Sequence, residues 1–137
     1  MEDFSLIHNI EERLSKLNSL SNFQIHNNIE VTQVGAGKAR GIMRAEDFHL
    51  NPYGIIHGGA MFSLADTVAG ATLMYVDKQI STVTASVNYT APGLITDEII
   101  ADSEIIKDGR TISVVDIVIR NQEDKVLLSG QFTFYKS

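Results

Sequence analysis

The stretch Asn51–Val76, NPYGIIHGGAMFSLADTVAGATLMYV, decides how this chain folds. It opens with a turn at Asn51-Pro52-Tyr53-Gly54. It then passes through His57-Gly58-Gly59 into a run interrupted only by Ser63, Asp66, Thr67 and Thr72. Gly58 to about Val76 reads as one helix, since no proline breaks it. It lacks a single polar face, and a helix apolar nearly all round is a buried helix. Its length also suits a bilayer span, but Asp66 falls at mid-span, where a charge is expensive. A core helix is therefore expected, and something must wrap it.

The flanking sequence supplies the wrapping. Phe4 to Leu20 reads as an amphipathic helix, with Leu6, Ile10, Leu14 and Leu17 on one stripe and Ser5 or Asn9 placed to cap it. Ser19 to Asn28 is a polar connector. Ile29–Val34 and Lys38–Arg44 read as strands joined by a turn at Gly35-Ala36-Gly37. After the central helix, closed off by Asp77 to Ile80, Thr82 to Thr90 alternates strictly. Val83, Ala85, Val87 and Tyr89 face one way; Thr82, Thr84, Ser86 and Asn88 face the other. Pro92-Gly93 stops that strand. Glu98–Lys107, Thr111–Arg120 and Val126–Tyr135 follow as a meander, with Asp108-Gly109 as a two-residue turn signal. A twisted sheet curling round one apolar helix accounts for the whole pattern.

Composition sets the outer bounds. The chain has 137 residues, 44% hydrophobic and 20% charged, as a soluble globular domain does. It contains no cysteine, which excludes a disulfide scaffold, a thiolate nucleophile and a cysteine-held metal. Glu2, Asp3, Glu11 and Glu12 stand where a signal peptide would be basic and then apolar, so a cytoplasmic location is expected. A net charge of −6 argues against broad nucleic-acid binding. The four histidines, at 8, 26, 49 and 57, show no metal-ligand spacing. No P-loop, dinucleotide fingerprint or GxSxG elbow occurs.

The central stretch carries the chemistry. Two glycines at a helix start can leave backbone N–H groups open, at an end that carries partial positive charge. That suits a carbonyl oxygen gaining negative charge in acyl transfer; close packing would call for the same glycines. Asp66 is the only charge between His57 and Val76. A carboxylate in apolar surroundings makes a better base, although a surface position or a hydrogen bond to a neighbouring strand would also explain it. Gly58 and Asp66 lie about 12 Å apart along a helix rising 1.5 Å per residue. An aspartate is too short to close that gap, so if both act on one substrate they come from different copies of the chain. Thr82, on the hydroxyl-rich face of its strand, could hold a water. Lys107 and Arg110 flank a hairpin turn, placed either to meet phosphates or simply to be solvated.

Asn51-x-x-Gly54-x-x-His57-Gly58-Gly59, followed by Asp66, resembles the signature of hotdog-fold acyl-CoA thioesterases of the phenylacetic-acid-degradation (PaaI-like) type. The resemblance runs from about Ile29 to Tyr135 and takes in Asn88-Tyr89-x-x-Pro92 and the Lys107-Asp108-Gly109-Arg110 hairpin. It implies an α+β hotdog fold, an antiparallel sheet wrapped around one long central helix. Residues 1–137 would form a single domain, with an N-terminal accessory helix and connector over 1–28 and a core over 29–135. It implies an acyl-CoA substrate, a homodimer or homotetramer with sites at the subunit interface, and no cofactor, metal, nucleic-acid or membrane partner. Gly58 would offer its N–H to the thioester oxygen, Asn51 would help polarise it, and His57 would stabilise the loop. Asp66 of the partner subunit would be base or nucleophile, and Thr82 would help orient the water. Gly59, Tyr89 and Pro92 would border the substrate, and Lys107 and Arg110 would meet the nucleotide end of coenzyme A. Two other functions fit the same fold. One is a hydratase or dehydratase of acyl thioesters, which relies on a different Asp/His arrangement. The other is a non-catalytic acyl-CoA sensor, which has no need of Asp66.

Overall fold

Helix α3 (Gly58–Ala71) touches all six strands of one antiparallel sheet: β1 (Ile29–Gly35), β2 (Lys38–Met43), β3 (Ile80–Tyr89), β4 (Ile99–Asp108), β5 (Ile112–Arg120) and β6 (Val126–Lys136). The computed structural model describes residues 10–20, 22–76 and 78–137. The strand order is β1-β2-β4-β5-β6-β3, which leaves β1 and β3 at the edges. This is the expected hotdog architecture. Leu64, Ala65, Val68 and Ala69 are fully buried on α3, facing Val115, Ile119, Leu128 and Phe132 in one core. Burying a Leu or Phe side chain completely contributes about 1.5–3 kcal/mol, so this contact surface dominates the fold. No described helix is long and apolar enough to cross a membrane.

Strand patterning follows position. β5 alternates Ser113, Val115, Ile117 and Ile119 inward with more exposed residues outward. The β1–β2 turn falls on Ala36 and Gly37, both at positive φ (52° and 76°), which matches the twist of flanking strands. A helix α1 (Ile10–Leu20) lays Ile10, Leu14 and Leu17 against the core, as its stripe predicts. The expected start of that helix at Phe4, with Leu6, Ser5 and Asn9, lies outside the described residues, as does Asp77.

Several expectations are corrected. The central helix ends at Ala71, not Val76. Leu73, Met74 and Val76 donate to carbonyls three residues back, a tighter winding, and Arg13 Nη1 on α1 donates to the carbonyls of Met74 (2.6 Å) and Val76 (3.0 Å). Nor is α3 closed all round. Gly59, Ser63, Asp66, Thr67 and Gly70 stay at least partly exposed and form a stripe at helical spacing. The polar connector contains a short helix, α2 (Asn22–His26), whose Gln24 is buried. The two-residue turn at Asp108-Gly109 is instead a longer one over 109–111. Asp108 is a strand residue paired with Ser113, and its carboxylate accepts from Lys136 Nζ (2.7 Å), Ser113 Oγ (2.9 Å) and the Tyr75 hydroxyl.

Candidate active site

The start of α3 is held by its own sequence. His57 is the N-cap, and its Nδ1 accepts from Gly59 N–H at 2.7 Å. Gly59 is therefore occupied, while Gly58 N–H donates to no group among the described residues. A Cβ on Gly59 would come within 3.0 Å of the His57 ring, and one on Gly58 within 3.3 Å of the Tyr89 ring. Close packing and an open donor thus coexist at Gly58-Gly59. Tyr89 donates its hydroxyl to Gly58 C=O at 2.9 Å. Partial burial pushes its phenol above the usual tyrosine value, which keeps the donating proton in place.

Asn51 sits in the loop before the helix, closed by the Leu50–Ile56 bridge. Its Oδ1 accepts from Tyr53 N–H (2.9 Å) and Ile55 N–H (3.3 Å). With the oxygen committed to the loop, the amide presents Nδ2 as a donor, which has no partner among the described residues. His49 anchors this loop from beneath. Its buried ring accepts from Glu46 N–H (2.9 Å), contacts Asn27 C=O (3.0 Å), and its own carbonyl accepts from His57 N–H (2.7 Å). Pro92 is exposed, next to Gly93, whose carbonyl accepts from Ile56 N–H at 2.9 Å.

Asp66 lies two turns further along α3, half-buried, and its Oδ1 accepts from Thr82 Oγ1 at 2.8 Å. A bulge in β3 makes this possible. Thr82 pairs with Phe134 and Thr84 with Thr133, leaving Val83 as the extra residue. Strict alternation would put Thr82 on the face opposite Tyr89. The bulge turns it onto the helix-facing side that Ala85 and Tyr89 share. Asp66 and Thr82 open into a cavity of about 290 Å³, walled by Leu17, Gln24, Met74, Ile80 and Phe134 among others.

The expected residues thus form two groups. Asn51, His57, Gly58, Gly59 and Tyr89 gather at the helix start; Asp66 and Thr82 meet at mid-helix, in a cavity that none of the first group lines. Lys107 and Arg110 stand apart, exposed at the β4–β5 hairpin, and neither forms an ion pair among the described residues. A larger concavity of about 770 Å³ lies across the outer face of the sheet, crossed by the Arg40–Asp102 ion pair (2.7 Å), and holds none of the expected site residues. Sequence reading missed Gln24 and His49. Both are polar residues buried through specific hydrogen bonds, for which periodicity carries no signal.

Residues 53–128 match the family model described as the thioesterase superfamily. The acyl-coenzyme A thioesterase 13 of Mus musculus is 29% identical over 109 residues, covering 76% of this chain and 78% of that one. The structure of the Escherichia coli PaaI protein from the phenylacetic acid degradation operon superposes with a TM-score of 0.90, at 22% identity and 96% coverage of both chains. A thioesterase protein from Streptococcus pneumoniae, solved with coenzyme A, superposes with a TM-score of 0.78 at 29% identity, covering 82% of this chain and 90% of that one. Two further structures of that streptococcal protein carry alanine in place of an aspartate and of a threonine that stand sixteen residues apart, the separation of Asp66 and Thr82 here. The chain is a hotdog-fold thioesterase and belongs to the thioesterase superfamily.

Proposed function

We propose that the chain hydrolyses acyl-CoA thioesters to a free acid and coenzyme A, at sites shared between two copies. One observation carries this reading. A carboxylate held by Thr82 faces a cavity, while the Gly58 N–H, which has no acceptor among the described residues, sits eight residues earlier on the same helix. The thioester oxygen would rest on Gly58 N–H and Asn51 Nδ2, the donors that stabilise the oxyanion as the carbonyl is attacked. Asp66 acts as base or nucleophile. As base it takes a proton from water, and the resulting hydroxide adds to the carbonyl carbon. As nucleophile its carboxylate adds instead, and water then releases the acyl group. Either way the C–S bond breaks, coenzyme A leaves with a proton, and no net oxidation occurs. The similarity to proteins named acyl-coenzyme A thioesterases and to a structure holding coenzyme A supports this substrate class.

The edge strand supports the shared site. β3 runs for 10 residues without a charge or a proline, and even Val83 and Tyr89 are exposed. Such an edge is a template for pairing with another strand. Antiparallel pairing about a two-fold axis at Ser86, with Val83 as the extra bulged residue, sets Thr82 opposite Tyr89 of the partner subunit. Thr82 holds Asp66 and Tyr89 holds Gly58, so the pairing carries each Asp66 toward Gly58 of the partner subunit.

The test is free-thiol release from a panel of acyl-CoAs. Release that depends on Asp66 supports hydrolysis. Binding without release would favour the sensor reading, and loss or gain of water across an acyl double bond without thiol release would favour the hydratase reading.

A further inference from the structure

The loop over residues 44–57 presents Asn51 and leads straight into Gly58, yet little holds it in place. Within it only His49 and Ile56 are buried, while Phe48 and Tyr53 stand exposed. A loop with so few buried contacts opens readily unless something fixes it. His49, 2% exposed, is the unexpected anchor. A buried imidazole costs more to desolvate than an aliphatic side chain, so its polar contacts call for a reason.

Those contacts are directional. Nδ1 accepts from Glu46 N–H (2.9 Å), so the ring proton sits on Nε2, which donates to Asn27 C=O at 3.0 Å. The first bond is local. The second reaches 22 residues back and fastens the loop to the chain just before β1. Backbone bonds carry the position onward. His49 C=O accepts from His57 N–H (2.7 Å), and Nδ1 of His57 accepts from Gly59 N–H (2.7 Å). The peptide between His57 and Gly58, which carries the Gly58 N–H, is thus held from both sides. Asn51 follows His49 by two residues, and its Oδ1 is tied within the same closed loop to Tyr53 and Ile55 N–H.

We propose that His49 is a positioning residue for hydrolysis: through its bond to Asn27 C=O it aims Gly58 N–H and Asn51 Nδ2 at one point, where the thioester oxygen gains charge. This rests on the hydrolytic reading of the site and names a residue on which that site depends. Donors that serve the transition state lose their effect when displaced by a fraction of their bonding distance, while ground-state binding suffers less.

Two variants separate the two ring contacts. In His49→Asn the amide oxygen replaces Nδ1 and keeps the Glu46 bond, but nothing reaches Asn27. In His49→Gln the longer side chain brings its amide nitrogen to the place of Nε2 and keeps the Asn27 bond. Thiol release from an acyl-CoA that the wild type cleaves is measured well below each variant's melting temperature. His49→Asn should lower kcat at least about tenfold with KM within about twofold of wild type, and His49→Gln should restore most of that loss. A double-mutant cycle gives the second readout. The His49→Asn loss should shrink in an Asn51→Ala background, where one of the aimed donors is already gone, and stay whole in a Thr82→Ala background. A role confined to stability would lower the melting temperature and leave kcat of the folded variant unchanged, which overturns the inference. Equal losses in His49→Asn and His49→Gln, or equal His49→Asn losses in both backgrounds, overturn it as well. Absence of thiol release from every acyl-CoA by the wild type would strike the hydrolytic reading itself, whereas an unchanged kcat in folded His49→Asn strikes only this inference.

Discussion

Strand β5 buries every second residue from Ser113 to Ile119, whereas β3, which alternates as regularly, has no fully buried residue. The two differ in neighbours. β5 lies between β4 and β6 with α3 beneath it; among the described residues β3 pairs only with β6, which leaves it at the edge of the sheet. The residues of α3 follow the same division. Leu64, Ala65 and Val68 are sealed, while Gly59, Ser63 and Asp66 stay at least partly exposed. The closed half of the molecule holds the fold. The open half carries every side chain to which chemistry is assigned at mid-helix, and leaves an edge that a second copy can complete.

The sharpest way to probe this division is to damage one half at a time. Phe132 on β6 is 0% exposed, with its ring centre 5.3 Å from that of Phe62 on α3 and 6.1 Å from that of Phe134. Phe132→Ala should cost about 3–5 kcal/mol of stability, read as a lower denaturant midpoint. A loss under about 1 kcal/mol would mean that this side of the helix is not sealed.

Asp66→Asn is the counterpart in the open half. It should leave the denaturant midpoint and acyl-CoA binding nearly unchanged while lowering kcat about 100-fold or more, equivalent to about 2.7 kcal/mol. A folded variant with near-normal kcat would take Asp66 out of the reaction and leave the Thr82 contact as a structural one.

The same division explains what the sequence made legible. The core helix, the six strands and the turn at Ala36-Gly37 were readable because apolar periodicity reports burial, and burial is what the closed half consists of. The Asn51, His57-Gly58-Gly59 and Asp66 constellation is readable as a motif because its spacing is specific, and the chemistry assigned to its members is the proposal made above. The face of Thr82 was misjudged because strict alternation assumes an unbroken ladder, and the bulge at Val83 shifts it by one residue. The buried amide of Gln24 and ring of His49 were invisible for another reason. Each is held by one or two particular hydrogen-bond partners, Asn18 for the first and Asn27 and Glu46 for the second, and such pairings leave no periodic trace in the sequence.

If β3 pairs with a second copy, two dead proteins should revive each other. Asn51→Ala removes the amide in the loop before α3, and Asp66→Ala removes the carboxylate at the middle of that helix. Unfolded together, mixed equally and refolded, half the dimers pair one of each, and every mixed dimer has one site with both defects and one with neither. About a quarter of wild-type activity should return. If both residues act within one chain, every site keeps a defect and mixing restores nothing. Mass measurement on one size-tagged partner establishes that subunits exchanged, so a negative result counts against the shared site.

The smallest expected effect lies at the β4–β5 hairpin, remote from both halves of the comparison. The chain carries a net charge of −6, so an anionic ligand is repelled by the molecule as a whole and needs a local basic contact. Lys107 and Arg110 can provide one. The nearby carboxylate that would neutralise them, Asp108, is already committed to Lys136 at 2.7 Å, and neither Lys107 nor Arg110 pairs with an acid among the described residues. Both are exposed, so each contact is weak and salt-sensitive. Replacing both with alanine should raise KM for acyl-CoA about threefold to tenfold at low ionic strength, with kcat unchanged. The difference should narrow as salt is added, since screening removes from the wild type what the substitution removes from the variant. The comparison with a thioester lacking the nucleotide isolates the cause: its KM should not respond to the substitution. An unchanged KM for acyl-CoA at low salt would make this hairpin a solvated tip and leave coenzyme A to be held elsewhere.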